Sequence, residues 1–104
     1  MTVGTITLRY FDGCPNWQVA RTRLQQAMEQ LGRAAKLELE RIESAEQADL
    51  LRFHGSPTIL IGGIDPFAIH GAPTGLSCRV YRTDAGMEGS PSVDQLVAAL
   101  KERS

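Results

Sequence analysis

Apolar and polar side chains alternate over residues 5–11, with Ile6, Leu8 and Tyr10 on one side and Thr5, Thr7, Arg9 and Phe11 on the other. That is the two-residue period of a β-strand. Asp12-Gly13-Cys14-Pro15 breaks the period. Pro15 suits the first position of a helix, where its missing N–H has no intrahelical acceptor, so the pattern predicts a helix starting at Cys14. Trp17, Ala20, Leu24, Ala27, Met28 and Leu31 then recur at three- and four-residue steps against a polar opposite face, up to Gly32. Glycine takes a left-handed conformation without steric cost and is a natural terminator.

Residues 36–42 read as a second strand, with Leu37 and Leu39 inward and Glu38 and Glu40 outward, at an edge beside the first strand. Ser44 followed by Gln47 forms a capping-box signature ahead of Ala45, Ala48 and Leu51, a short helix closed by Gly55-Ser56-Pro57. Thr-Ile-Leu-Ile at 58–61 is an apolar run that fits a central strand covered on both faces, and Gly62-Gly63 turns the chain. Residues 64–76 carry two prolines, two glycines and no sustained period, an ordered excursion of the length that is usually functional or mobile. Residues 77–83 return as a strand, and Val93, Leu96, Val97 and Leu100 mark a last amphipathic helix capped by Ser90 or Ser92. The order is β-α-β-α-β-β-α, without an internal repeat or linker.

Length and charge narrow the function. A chain of 104 residues with 42% apolar side chains supports one core, and so one domain over residues 1–104. Eleven Lys+Arg against twelve Asp+Glu leave no cationic excess for a nucleic acid. No apolar run is long enough to span a bilayer, residues 1–10 lack the pattern of a signal peptide, and two cysteines do not make a disulfide-rich scaffold, so a cytoplasmic setting is expected.

The candidate chemistry centres on Cys14. In a strand-helix-strand unit, the turn after the first strand lies at the carboxyl edge of the sheet, where helix N–H groups and the positive end of the helix dipole gather. A thiol there is favoured as thiolate, with a pKa below the ordinary value of about 8.5. The plain alternative is a small residue in a turn.

Three phrases, FDGCPNW at 11–17, GSPTILI at 55–61 and GLSCRVYRT at 75–83, together with the element order, resemble the thioredoxin superfamily, and more closely a small bacterial group of thioredoxin-like proteins. The resemblance covers nearly the whole chain. It implies a four-stranded mixed sheet with helices on both faces, Cys14 as the nucleophile, and Pro57 as a cis-proline packed against it. It also implies that Ser56 presents its backbone N–H and C=O to an extended substrate. By sequence alone a Ser-Pro bond is cis in only about one case in twenty.

The chain departs from the redox pattern where thioredoxins carry their second cysteine: Trp17 stands there. Cys14-Pro15-Asn16-Trp17 is therefore formally closer to the monothiol glutaredoxins, in which an external low-molecular-weight thiol does the releasing; such a thiol is the co-substrate expected here, and no cofactor is expected. Trp17 is either substrate-stacking or the start of the core stripe.

Cys78 reads as a resolving thiol, a soft-metal partner for Cys14, or a buried residue. Near the start of a strand running towards the Cys14 edge, it would stand about five residues of roughly 3.3 Å from that edge. That distance exceeds disulfide reach, which favours a buried structural thiol unless the 64–76 excursion delays or bends the strand. Asp12 and His54 are possible modulators of the thiol, a carboxylate raising its pKa and an imidazolium lowering it; their alternatives are a turn cap and a loop histidine. His70 has no second ligand at a recognisable spacing, so no resident metal is expected. Phe67 reads as a plug at the core's edge, and Arg79 and Arg82 read as solvated.

Three functions follow as expectations. The first is a monothiol thiol-disulfide oxidoreductase acting on a thiol or disulfide substrate, including a protein, through Cys14, with Ser56, Pro57 and Trp17 aligning it. The second is a non-catalytic thioredoxin-like module that binds a peptide or protein. The third is soft-metal or organomercurial handling by Cys14 and Cys78. None calls for a nucleic acid or a membrane, and the oligomeric state is left open.

Overall fold

The computed structural model describes residues 4–32 and 35–102. The first three positions of the stretch read for a leader, and both ends of the 1–104 domain, therefore lie outside the described residues.

Strand β1 (Thr5–Tyr10) forms as the alternation predicts and is the middle strand of a three-stranded mixed sheet. Strand β2 (Lys36–Arg41) runs parallel to it from Thr5↔Lys36 to Tyr10↔Arg41. Strand β3 (Thr58–Ile61) runs antiparallel to it, pairing Ile6 with Ile61 and Leu8 with Ile59. Directly opposed residues share a face, so these four side chains form one apolar surface, and all four are buried.

Helix α1 (Asn16–Leu31) and helix α3 (Val93–Glu102) cover that surface with Ala20, Leu24, Ala27, Leu96, Ala99 and Leu100. Arg9, which alternation sends to the opposite face, donates through Nη1 to the carbonyl of Leu51 at 3.0 Å. Helix α2 (Ala45–Leu50) therefore ends on that other side, where Ile42, Ala48 and Phe53 form a second cluster.

The caps follow the sequence. Ser44 Oγ accepts from Gln47 N–H at 3.0 Å, and Gly32 closes α1 at φ 62°. Of the two serines proposed ahead of α3, Ser92 forms the cap, accepting from Gln95 N–H at 3.1 Å while Gln95 Oε1 accepts from Ser92 N–H.

Several expectations change. The sheet has three strands among the described residues, not four. The fourth predicted strand shrinks to β4 (Tyr81–Thr83), which pairs with β5 (Gly86–Glu88) in a separate hairpin, Tyr81 opposite Glu88. The Thr83 hydroxyl donates to the Gly86 carbonyl and accepts from Ala85 N–H, bracing that hairpin around a two-residue loop, a local signal too short for periodicity to register. β3 is well buried but is an edge in the pairing order. Leu39 on β2, the edge strand beside β1, is 41% exposed rather than inward. α1 begins at Asn16 rather than Cys14, with Pro15 as its cap residue. No helix among the described residues is long and apolar enough to cross a membrane.

Candidate functional site

The turn after β1 is built on a hydrogen bond from Cys14 N–H to the Phe11 carbonyl at 3.2 Å, and it leaves Cys14 two residues ahead of α1 with no exposed surface. The Ser56-Pro57 bond is cis, and Ser56 is fully buried beside Cys14, whose sulfur lies 3.6 Å from the Ser56 carbonyl oxygen. These three residues come together as expected.

What sequence reasoning placed out of reach also arrives there. Cys14 and Cys78, 64 positions apart, form a disulfide with their Cα atoms 5.7 Å apart. Cys78 is exposed, so it is neither buried nor remote. The distance argument took residues 77–83 as one strand running towards the Cys14 edge, with Cys78 near its start. In fact β4 starts at Tyr81, and the preceding segment has already crossed to the Cys14 edge.

That segment, residues 62–80, forms a strap across the site. Its last part runs parallel to residues 53–56: Gly75 N–H donates to Phe53 O at 3.1 Å and Thr74 Oγ1 to Asp49 Oδ1 at 3.3 Å. His54 Nδ1 lies 3.1 Å from Pro73 O, and because a carbonyl only accepts, Nδ1 is the donor in that contact. Ser56 N–H then donates to Ser77 O, and Arg79 N–H to Ser56 O, both at 2.8 Å. Both backbone groups of Ser56 are thus occupied by the strap. Gly55, at φ 113°, permits this approach: a Cβ there would stand 3.1 Å from Arg79 Cβ and 3.1 Å from Ser77 O.

Arg79 is the second residue the sequence misplaced. Its side chain is 8% exposed and bonds Asp65 Oδ2 at 2.8 Å, Thr58 Oγ1 at 3.3 Å and the Phe67 carbonyl. Its guanidinium also lies 4.6 Å from the centre of the Tyr81 ring. A cation with this many partners anchors a loop; a solvated one does not. Phe67 meets Tyr81 edge to face and packs on the core, the plug expected of it, and Arg82 is exposed as expected. The Tyr81 hydroxyl donates to the Pro57 carbonyl, and burial pushes its pKa well above the ordinary tyrosine value.

The remaining candidates divide. Trp17 is half-buried, stacked on Tyr10 with ring centres 4.3 Å apart and packed against the main core. Asp12 is exposed and paired with Arg41 at 3.1 Å; Glu43, then Asp12, hold the Arg41 guanidinium more firmly protonated than usual. His54 shares a pocket of about 220 Å³ with Cys78, Arg79, Val80, Ile69 and Ala72. On the other flank of the strap, Leu76 helps line an open groove with Phe11, Asp12 and Gly13. His70 is exposed, and no group of three metal-ligating side chains exists among the described residues.

The arrangement is chemically specific: an exposed half-cystine bonded to a buried one beside a helix start, on a strap held by polar contacts. Compared with known protein families, with characterised proteins and with solved structures, the chain finds no match.

Proposed function

We propose that this protein is a thioredoxin-like thiol-disulfide exchange protein in which Cys14 is the nucleophile and Cys78 supplies the second thiol that its Cys14-to-Trp17 motif lacks. The observation that carries this reading is the Cys14–Cys78 pairing with Cys78 open to solvent. Further support comes from β1 held between a parallel and an antiparallel neighbour, and from the cis-proline beside the thiol.

The cycle balances with an external thiol as reductant. A thiolate attacks exposed Cys78, forming a mixed disulfide and expelling the Cys14 thiolate, which the dipole of the 16-residue α1 favours. A second thiolate attacks the external sulfur of that mixed disulfide, releasing Cys78 and an external disulfide. Two electrons now reside on the protein as two thiols. In the oxidative half, Cys14 thiolate attacks a target disulfide and expels one target thiolate. Cys78 thiolate then attacks the Cys14 sulfur, expels the second target thiolate and restores the Cys14–Cys78 bond. A disulfide used this way is transient, the kind compatible with a reducing compartment.

Mass spectrometry tests the cycle. Reduced wild type treated with a model disulfide should lose two hydrogens as the internal bond forms, whereas Cys78→Ser should accumulate a stable adduct on Cys14. A Cys14 that stays unmodified in Cys78→Ser, while that variant still captures a partner, would point instead to a pure binding module.

One further reading has its own observation. After reduction, two thiols close enough to form a bond can take a single soft cation between them. One equivalent of such a metal protecting both cysteines from alkylation supports that reading, and independent reaction of the two excludes it.

A further inference from the structure

The strap does more at Ser56 than carry a cysteine. Its Ser77-Cys78-Arg79 segment forms a complete ladder on Ser56, one N–H donated and one accepted, while the Cys78 sulfur bonds Cys14 and the Arg79 side chain fills the seat made by Asp65, Thr58, Tyr81 and the Phe67 carbonyl. Gly55 leaves room for this backbone approach and for little else. Three features around Ser56 are therefore occupied by three consecutive strap residues: a paired backbone edge, a sulfur, and a seat made by Thr58 and Tyr81 together with Asp65 and Phe67 from the strap's own first part.

We propose that residues 77–79 are an internal pseudosubstrate, and that the partner of the reduced protein is an extended segment with the same chemistry: a cysteine followed immediately by an arginine, running parallel to residues 53–56. This rests on the exchange reading above and adds the partner's class and its competition with the strap. Reduction cuts the covalent hold on the strap and frees Cys14. A segment that supplies the same two backbone groups and the same guanidinium then replaces residues 77–79, while Asp65 and Phe67 stay in place through the packing of Phe67 on the core. When residues 77–79 return, they displace the partner from the ladder as Cys78 attacks the Cys14 sulfur. Arg79 and Asp65 thus set specificity, Arg79 by competing for the seat and Asp65 by forming its anionic wall.

The test uses the full chain with Cys78→Ser, which leaves Cys14 as its only cysteine. The probes are two synthetic hexapeptides of identical composition, each with its cysteine activated as a 2-pyridyl disulfide. One copies residues 75–80, Gly-Leu-Ser-Cys-Arg-Val; the other exchanges serine and arginine, giving Gly-Leu-Arg-Cys-Ser-Val. In either reaction Cys14 thiolate attacks the peptide sulfur, a Cys14–peptide disulfide forms, and pyridine-2-thiolate leaves and is read by its absorbance. A charge-assisted, largely desolvated guanidinium contact should make the Cys-Arg peptide react at least about tenfold faster. Adding Arg79→Ala, which empties the seat, should raise its rate several-fold further while keeping the preference; if that double variant fails to fold, the single variant still decides. Equal rates for the two peptides would overturn the pseudosubstrate and leave exchange chemistry standing. A Cys14 inert even to unsubstituted 2,2′-dipyridyl disulfide would overturn both, so the two failures are distinguishable.

Discussion

The framework and the strap are held by different forces. In the framework, Ile6, Leu8, Leu24, Ile59, Leu96 and Leu100 are buried on one another, and adhesion comes from many small, non-directional contributions of area. Between residues 62 and 80, Ile64, Ile69, Leu76 and Val80 are exposed by 40% or more, so apolar burial does little to hold the strap. What fixes it is one disulfide, one buried cation and a few backbone bonds. An apolar core loosens only with global unfolding, whereas a segment held by a few discrete bonds can be released by breaking them. The Cys14–Cys78 disulfide joins the two regions, with one sulfur in each.

The largest expected effect tests that junction. The Cys14–Cys78 bond closes a loop of 64 positions, and in the chain-entropy treatment its loss should cost about 4 kcal/mol of stability. Denaturant midpoints of oxidised and reduced protein measure it. Hydrogen exchange should also show the Ser56 and Arg79 amides losing protection on reduction before those of β1; simultaneous loss would make strap and framework one cooperative unit. Next, Leu24→Ala should cost about 3 kcal/mol through lost burial and a residual cavity, and should weaken β1 and strap amides together. Arg79→Ala should cost less, about 2 kcal/mol, because Asp65 left behind retains some access to water. Its signature is local: strap amides exchange faster while α1 and α3 are unchanged. Protection lost throughout the core would show that the cation holds the framework as well.

The same contrast explains how much of the molecule was legible in its sequence. Apolar periodicity reports burial, so β1, α1, α2, β3 and α3 could be read from spacing, and Ser44, Ser92 and Gly32 from cap chemistry. The strap has no period to read. Cys78 and Arg79 owe their positions to a backbone ladder with Ser56 formed across a 21-to-23-residue gap, which no local pattern encodes. Arg79 looks like any surface arginine until Asp65 and Phe67 fold back on it. Cys14 was legible because a strand end marks it locally, whereas Ser56 and Pro57 were placed beside it only by the resemblance of their Gly-Ser-Pro step to a known family. The one available hint about Cys78 was numerical: the chain has two cysteines and no other candidate partner for either.

The smallest effect concerns Tyr81, which touches both regions through Pro57 on one side and Phe67 and Arg79 on the other. Burial raises its pKa above the ordinary 10.0, with Arg79 opposing the shift and Asp65 adding to it. In the unfolded chain the phenol ionises near that ordinary value, whereas in the folded protein it keeps its proton. Between the two pKa values the folded state therefore binds one more proton than the unfolded state, and stability must fall as pH rises. The contribution is fully present below pH 10 and is lost progressively above it. Tyr81→Phe should remove this alkaline slope and cost about 1 kcal/mol at neutral pH, because the Pro57 carbonyl loses its donor while the ring remains packed. Denaturant midpoints of wild type and variant measured from pH 7 to 11 make the comparison. If the two curves stay parallel above pH 10, the phenol is already reached by water, and the seam between strap and framework is open even in the oxidised protein.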